Sequence, residues 1–324
     1  MPAFWNKQTA AEETLQELND YEYNLLQYNQ WRSLFEDTKA ALELLELQTD
    51  AELLCEAQTN ISQLSRELDQ FEIQQLLTGT YDRNGAFLTI TAQSDGTDAQ
   101  DWVGLLLQIY AKWGESKNYQ VRLVECCEGD WIGFKFATVE IAGRYAYGYL
   151  KSEQGRHQLK RISPFNADGK CQTSTSGVEV IPIVDLDIPQ KDLEIITSRS
   201  GIKSGQNANG VQTWVRIVHI PTGISVTCRA ERSQIQNRDK ALSILKSKLW
   251  AIAHSLDVRE IAQIQLDKIE ALSSNLIRDY VFHPHQLVKD LRTGLETSAV
   301  TEVLNGEIDF FIRAYLRQEN QLVI

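Results

Sequence analysis

The chain has 324 residues, 43% of them hydrophobic and 23% charged, which is enough for a sizeable core and for two or three domains. No apolar run approaches the roughly 20 residues that a membrane span needs, and no basic-then-apolar opening suggests a secretory signal. The net charge of −12 argues against a nucleic-acid partner for the chain as a whole, but residues 1–78 hold four basic side chains against fifteen acidic ones, whereas 191–250 hold ten against four, so one region is able to approach phosphates.

Residues 8–78 are expected to be helical. Leu15, Leu18, Leu25 and Leu26 recur at helical spacing, as do Leu44, Leu47, Ala51 and Leu54, then Ile61, Leu64, Leu68 and Phe71. With no Gly before Gly79 and no Pro after Pro2, a helical hairpin or small bundle is the expected form. The character changes at Thr78-Gly79-Thr80-Tyr81-Asp82. Phe87–Thr91 reads as a strand, and Asp101–Trp113 as a helix with Trp102, Leu105, Leu106 and Tyr110 on one face. Strands are expected at about 119–126, 131–141, 145–151 and 178–184, rich in aromatic and β-branched residues, so this part is α+β.

A third region starts near Ile188-Pro189, with a strand at Asp192–Thr197 and a long polar loop at Ser198–Gly210. Val215–Ile220 and Ile224–Cys228 alternate around the turn Pro221-Thr222-Gly223. A basic amphipathic helix should run from about Asn237 to His254, with more helix to about Asp279 and short helices around Leu291–Gly294. The five cysteines (Cys55, Cys126, Cys127, Cys171, Cys228) are odd in number and include no C-x-x-C, so buried or free thiols in a reducing compartment are expected. No P-loop, G-x-S-x-G or dinucleotide fingerprint occurs. His283-Pro284-His285 lacks the Cys or acidic pair that would complete a metal site, so neither a metal nor a cofactor is expected.

Arg216–Ile224, reading R-I-V-H-I-P-T-G-I, resembles the V-R-I-T-H-I-P-T-G segment of the bacterial and plastid class I peptide chain release factors that read UGA and UAA. Glu231-Arg232-Ser233-Gln234 with Asn237, Tyr145-Ala146-Tyr147-Gly148, Lys160–Phe165, Ala99–Trp102 and Leu287–Gly294 resemble the same family in the same order, most closely its cyanobacterial and chloroplast members. The match begins near the family's F-W-N, here Phe4-Trp5-Asn6, so the opening part of the usual N-terminal domain is expected to be missing, as a programmed frameshift would leave it.

The resemblance implies four domains within a multidomain α+β fold. A helical domain (1–78) is followed by a codon-recognition domain (79–187). A small α+β domain with a long helix (188–272) carries the catalytic loop, and a C-terminal segment (273–324) packs on the codon-recognition domain. It also implies a monomer whose partner is the ribosome, with its rRNA, the mRNA stop codon and peptidyl-tRNA, or another RNA in its place. The implied compartment is a bacterial cytoplasm or a plastid stroma, with no membrane partner.

Four sites carry over. Ser163-Pro164-Phe165 matches the codon-reading tripeptide; a Ser hydroxyl both donates and accepts, so it can meet either purine edge. Downstream, Gln172-Thr173 stands where the family often has H-T, and Thr173 can bond a base. The family's helix tip G-G-T-E-A-Q appears as Asp95-Gly96-Thr97-Asp98-Ala99-Gln100, facing the first uridine. Asp95 adds a side chain and a negative charge where a Gly allowed close approach, which would weaken codon reading, and it is also a candidate cap for this helix; the two readings are compatible. The catalytic G-G-Q appears as Ser204-Gly205-Gln206, with Ile202 and Gly210 also departing from the family. The switch Trp that stacks in the decoding centre is Ser273, which offers no stacking surface. Two readings follow: a ribosome- or RNA-binding relative weak in hydrolysis, or a working release factor that tolerates Ser204.

Overall fold

The computed structural model describes residues 8–47, 50–166, 169–199, 213–229, 231, 233–255 and 275–321. The chain divides into two compact units, 1–75 and 76–324.

The first unit is a helical hairpin of α1 (Gln8–Leu47) and α2 (Ala51–Leu76). Asp50 starts α2, its Oδ1 accepting the N–H groups of Glu52 at 2.9 Å and Leu53 at 3.3 Å, two donors that the helix itself leaves unpaired. Trp31 ties the two helices together. Its indole donates to Glu67 at 2.7 Å, and its ring meets Phe71 edge-on with centroids 5.1 Å apart. On α1, Tyr21, Tyr28, Phe35 and Leu42 stand at seven-residue steps and are all exposed.

The second unit is built on an eight-stranded sheet. Its strands are β1 (Ala86–Ala92), β2 (Gln120–Glu128), β3 (Phe134–Ala142), β4 (Gly155–Ile162), β5 (Cys171–Pro182), β9 (Leu276–Val281), β10 (Leu287–Asp290) and β11 (Glu296–Thr297). Their order is β11-β10-β9-β4-β5-β1-β3-β2. Neighbours run antiparallel except β4 and β9, which are parallel and join the middle of the chain to its last part. Helix α3 (Thr97–Ser116) crosses one face, burying Trp102, Leu106, Ile109, Tyr110 and Trp113 at three- and four-residue spacing. The Trp102 indole donates to the backbone of His157 at 3.0 Å, and the Trp113 indole to Asp309 at 2.8 Å on α7 (Asp309–Gln321).

The other face of the sheet is covered by a second layer. Strands β6 (Leu193–Arg199), β7 (Thr213–His219) and β8 (Ser225–Cys228) form an antiparallel three-stranded sheet under α5 (Gln234–Ser255). Val215, Ile217 and Val226 pack with Ala241, Ile244, Leu245 and Leu249, and this core runs on into Phe87, Val124 and Ile181 of the large sheet. Phe87 reaches it because alternate residues of a strand face opposite ways.

Three expectations are corrected. Residues 145–151 are not a strand. Tyr145 adopts a left-handed φ of 67° and Ala146–Leu150 form a short helix, α4. The N–H groups of Tyr145, Tyr147 and Gly148 are held by the carbonyls of Arg83, Asn84 and Asp82, so anchoring overrides the strand preference of an aromatic run. Helix does not extend to Asp279, because β9 begins at Leu276. Leu291–Gly294 is a turn after β10, closed by Asp290, whose Oδ1 accepts the N–H of Arg292 at 3.0 Å. Helix returns only in α6 (Val300–Leu304) and α7. Among the described residues no helix is long and apolar enough to cross a membrane, and all five cysteines are free.

Candidate nucleic-acid interface

The loop between β4 and β5 and the first turn of α3 enclose a cleft of about 430 Å³. Ser163, Phe165, Gln172 and Thr173 line one side; Asp95 and Asp98 line the other. The sheet register explains the first set. Arg161 of β4 pairs with Gln172 of β5, and Lys160 with Thr173, so the strand ends deliver both stretches to one edge. Pro164 lies within the same loop and is exposed.

Gly96 stands at the N-terminus of α3 with φ +116°, a conformation that L side chains rarely adopt. Gly96 is itself the N-cap and no side chain caps the helix, so Asp95 is not the cap the sequence allowed; the first N–H groups of α3 are left at the positive end of the helix dipole. Of the family's two glycines, Gly96 is therefore the one the backbone needs. Asp95 has no positive φ and is exposed at the rim of the cleft.

Ser163 is buried, and its hydroxyl is fixed from two sides. Its Oγ donates to Asp98 Oδ2 at 2.7 Å and accepts the Phe165 N–H at 3.2 Å. A serine oxygen has one proton and two lone pairs, so a single lone pair is left. Arg161, not singled out in the sequence, holds this arrangement. Its guanidinium donates to Asp101 at 2.6 Å and Asp98 at 3.2 Å, and it lies 5.7 Å from the Phe165 ring centroid. The signal was present in the sequence as Arg161 two residues before Ser163 and Asp98 three before Asp101, but the contact spans two elements. Phe165 and Thr173 remain exposed.

A buried ionic network fastens the last part of the chain to the sheet. Arg278 of β9 donates bidentately to Glu153 at 2.6 and 2.7 Å and also reaches Asp290 at 3.3 Å. Arg292 bonds the same Asp290 at 2.8 Å and the Ser152 carbonyl at 2.6 Å. Phe311 and Tyr315 of α7 cover the two guanidiniums at 4.3 and 4.0 Å. Burial would raise the Glu153 carboxyl, but Arg278 beside it holds it below the ordinary range. Burial pushes His157 down to about 4, so it is a neutral imidazole that donates from Nε2 to the Glu153 carbonyl at 3.0 Å.

Ser204, Gly205 and Gln206 of the expected catalytic loop, and Ser273 of the expected switch, lie outside the described residues.

A PCRF domain model matches residues 1–178 and an RF-1 domain model matches 182–292. The chain is 47% identical over 99% of its length to "Peptide chain release factor PrfB1, chloroplastic" of Arabidopsis thaliana, spanning 72% of that protein. It is 43% identical over 98% of its length to "Peptide chain release factor 2" of Chloroflexus aggregans, spanning 87% of it. The structure of RF2 of Thermus thermophilus superposes with a TM-score of 0.72 at 34% identity, covering 99% of this chain and 91% of that one. Fold and matches together define the class, a peptide chain release factor of translation termination. Within that class the chain belongs to the peptide chain release factor 2 family.

Proposed function

We propose that this protein reads UGA and UAA in the ribosomal A site and that its peptidyl-tRNA hydrolysis is slowed by Ser204. Codon reading is assigned to 79–187 together with 273–324, hydrolysis to 188–272, and a helical role to 1–78. The observation that carries the codon-reading half is Ser163, fixed in a cleft between a helix tip and a loop by Asp98 and Arg161. A ligand group that meets a pre-set acceptor loses little entropy on binding. The helix tip offers backbone donors suited to a uracil carbonyl. Phe165 and Thr173 stand ready on the open side for stacking and hydrogen bonding. Relatives named as chloroplastic and bacterial factors support a bacterial-type ribosome as partner.

The hydrolytic half rests on chemistry. The Gln206 backbone N–H is to stabilise the developing oxyanion, a task that needs accurately placed donors. Ser204 puts a Cβ where the family has Gly, and a strained non-Gly residue costs on the order of 1–3 kcal/mol. At the barrier that is roughly a tenfold to hundredfold loss. The retained Gly205 and Gln206 favour a second reading, a release factor of full activity.

Peptide release on ribosomes carrying peptidyl-tRNA and UGA or UAA decides between them, with wild type beside Ser204→Gly. Slow release that Ser204→Gly accelerates tenfold or more supports the slowed reading. Equal and fast release by both proteins makes Ser204 harmless. Absence of stop-codon-dependent binding would overturn the codon-reading half as well.

A further inference from the structure

Between β2 and β3 the chain reverses through Gly129-Asp130-Trp131-Ile132-Gly133, closed by the Gly129 N–H on the Gly133 carbonyl at 2.9 Å. This tip is docked on the start of α3 in two ways. The first is a side-chain tether. Buried Gln100 accepts the Asp130 N–H at 3.0 Å and donates back to Asp130 Oδ2 at 3.3 Å, while Lys135 holds Oδ1 at 2.8 Å. Hydrogen bonds from Lys135 and then Gln100 keep the Asp130 carboxyl below its ordinary range, and so charged. The second is backbone against backbone. A Cβ on Gly133, whose φ is +69°, would stand 2.0 Å from the Gln100 carbonyl oxygen and 2.7 Å from the Asp101 nitrogen. One on Gly129 would stand 2.7 Å from Gln100 Oε1, so there is no room for a side chain at either glycine.

The turn held in this way is the one that shapes the cleft. Asp98 comes two residues before Gln100, roughly 200° round the helix, so the two side chains leave α3 on opposite sides. On one side Gln100 is pinned by the tip. On the other, Arg161 pins Asp98 at 3.2 Å and Asp101 at 2.6 Å. The Ser163 proton rests on Asp98 at 2.7 Å, a bond that exists only while this turn keeps its place. A shift of about 1 Å would carry it beyond hydrogen-bonding reach. Gln100 itself does not line the cleft, so whatever it does there it does through the helix.

We propose that Gln100, through its tether to Asp130, is a positioning residue for codon choice: it fixes the first turn of α3 so that Asp98 keeps the Ser163 proton and the hydroxyl faces the base as an acceptor. The inference rests on the codon-reading function above. An acceptor suits the amine of adenine and not the carbonyl of guanine, so loosening the turn lowers the preference for UAA over UGA. Dissociation constants for ribosomes with UAA or UGA in the A site test it. The variants are Gln100→Leu, Asp130→Ala, the exchanged pair Gln100→Glu with Asp130→Asn, and Ser163→Ala. Gln100→Leu removes both bonds of the tether and is expected to lower the ratio of UAA to UGA binding roughly twofold to tenfold, the worth of one hydrogen bond. Asp130→Ala changes a side chain that is 64% exposed and keeps the bond to the backbone N–H, so its ratio should fall by less. In the exchanged pair, amide and carboxylate trade places, both bonds form again, and the ratio is expected to return to that of wild type.

Damage to folding alone would weaken binding to both codons alike and leave the ratio unmoved; melting temperatures report it separately. If Ser163→Ala changes the ratio while Gln100→Leu does not, the tether has no part in codon choice and codon reading stands; where Gln100→Leu does not fold, an unchanged ratio in Asp130→Ala decides the same way. A ratio lowered by Gln100→Leu but not restored by the exchanged pair would also overturn the assignment. If wild type itself binds ribosomes without regard to the stop codon, codon reading fails and the inference fails with it.

Discussion

Ser163 shows how a neighbour turns a general-purpose hydroxyl into a selective one. With its proton on Asp98 and one lone pair on the Phe165 N–H, Ser163 faces the cleft as an acceptor. Adenine presents an amine donor and guanine a carbonyl at the corresponding edge. If Ser163 reads a base as proposed, adenine would meet it as it stands, whereas guanine would require the hydroxyl to turn away from Asp98. Asp98→Asn places an amide donor against Ser163 and frees its proton for the ligand. The expected outcome is a lower ratio of UAA to UGA binding, by a few-fold to about tenfold, in line with one hydrogen bond of roughly 0.5–1.5 kcal/mol. Equal ratios for both proteins in ribosome binding would remove Asp98 from codon choice. The sequence made Ser163 and Asp98 legible as separate features, and left both faces of the hydroxyl open. It could not show that the two residues spend hydrogen bonds on each other, because they are 65 positions apart.

At the scale of elements, the attachment of β9 and β10 depends on one buried cation. Replacing Arg278 with Met keeps volume but leaves Glu153 and Asp290 without their central partner. Breaking a buried pair by removing one member costs about 3–5 kcal/mol. Arg278→Met is expected to lower stability by that amount in denaturant unfolding, and the double variant Arg278→Met, Glu153→Gln should recover part of it. Helices α1, α2, α3 and α5 were legible because three- and four-residue spacing persists over many turns. The short elements were not. The aromatic run at Tyr145–Tyr149 has strand-like residues, but its conformation is set by carbonyls of Asp82, Arg83 and Asn84 far back in the chain. Strands β9 and β10 have six and four residues and flank a histidine-proline turn, too little for any period to declare itself. The cleft was legible in part: its lining came from matched motifs, whereas Arg161 and the Gln100 tether emerge only from contacts between elements.

For the molecule as a whole, the buried groups at the centre of the large sheet set its response to acid. His157 is neutral when folded, with its proton affinity pushed from 6.5 to about 4 by burial. Between those values the unfolded chain binds a proton that the folded chain refuses, so stability is full above 6.5 and falls as pH drops toward 4. The loss at the lower end is roughly 3 kcal/mol. Glu153, held below its ordinary 4.5, adds a further loss beneath that value as its pairing with Arg278 ends. Thermal unfolding from pH 7 to 4 is expected to show this decline, and His157→Gln to flatten it above 4.5. A wild-type melting temperature that stays constant from 7 to 5 would contradict the neutral buried imidazole.

The parallel pairing of β4 with β9 also has a meaning in the order of synthesis. Strand β4 is made more than a hundred residues before its neighbour β9. Until residues 276–281 are polymerised, β4 is an open sheet edge, and such an edge invites pairing with other chains. A nascent chain cut short between α5 and β9 would therefore carry an incomplete and adhesive sheet, not a smaller working one. A chain built this way completes its large sheet only once β9 has been made.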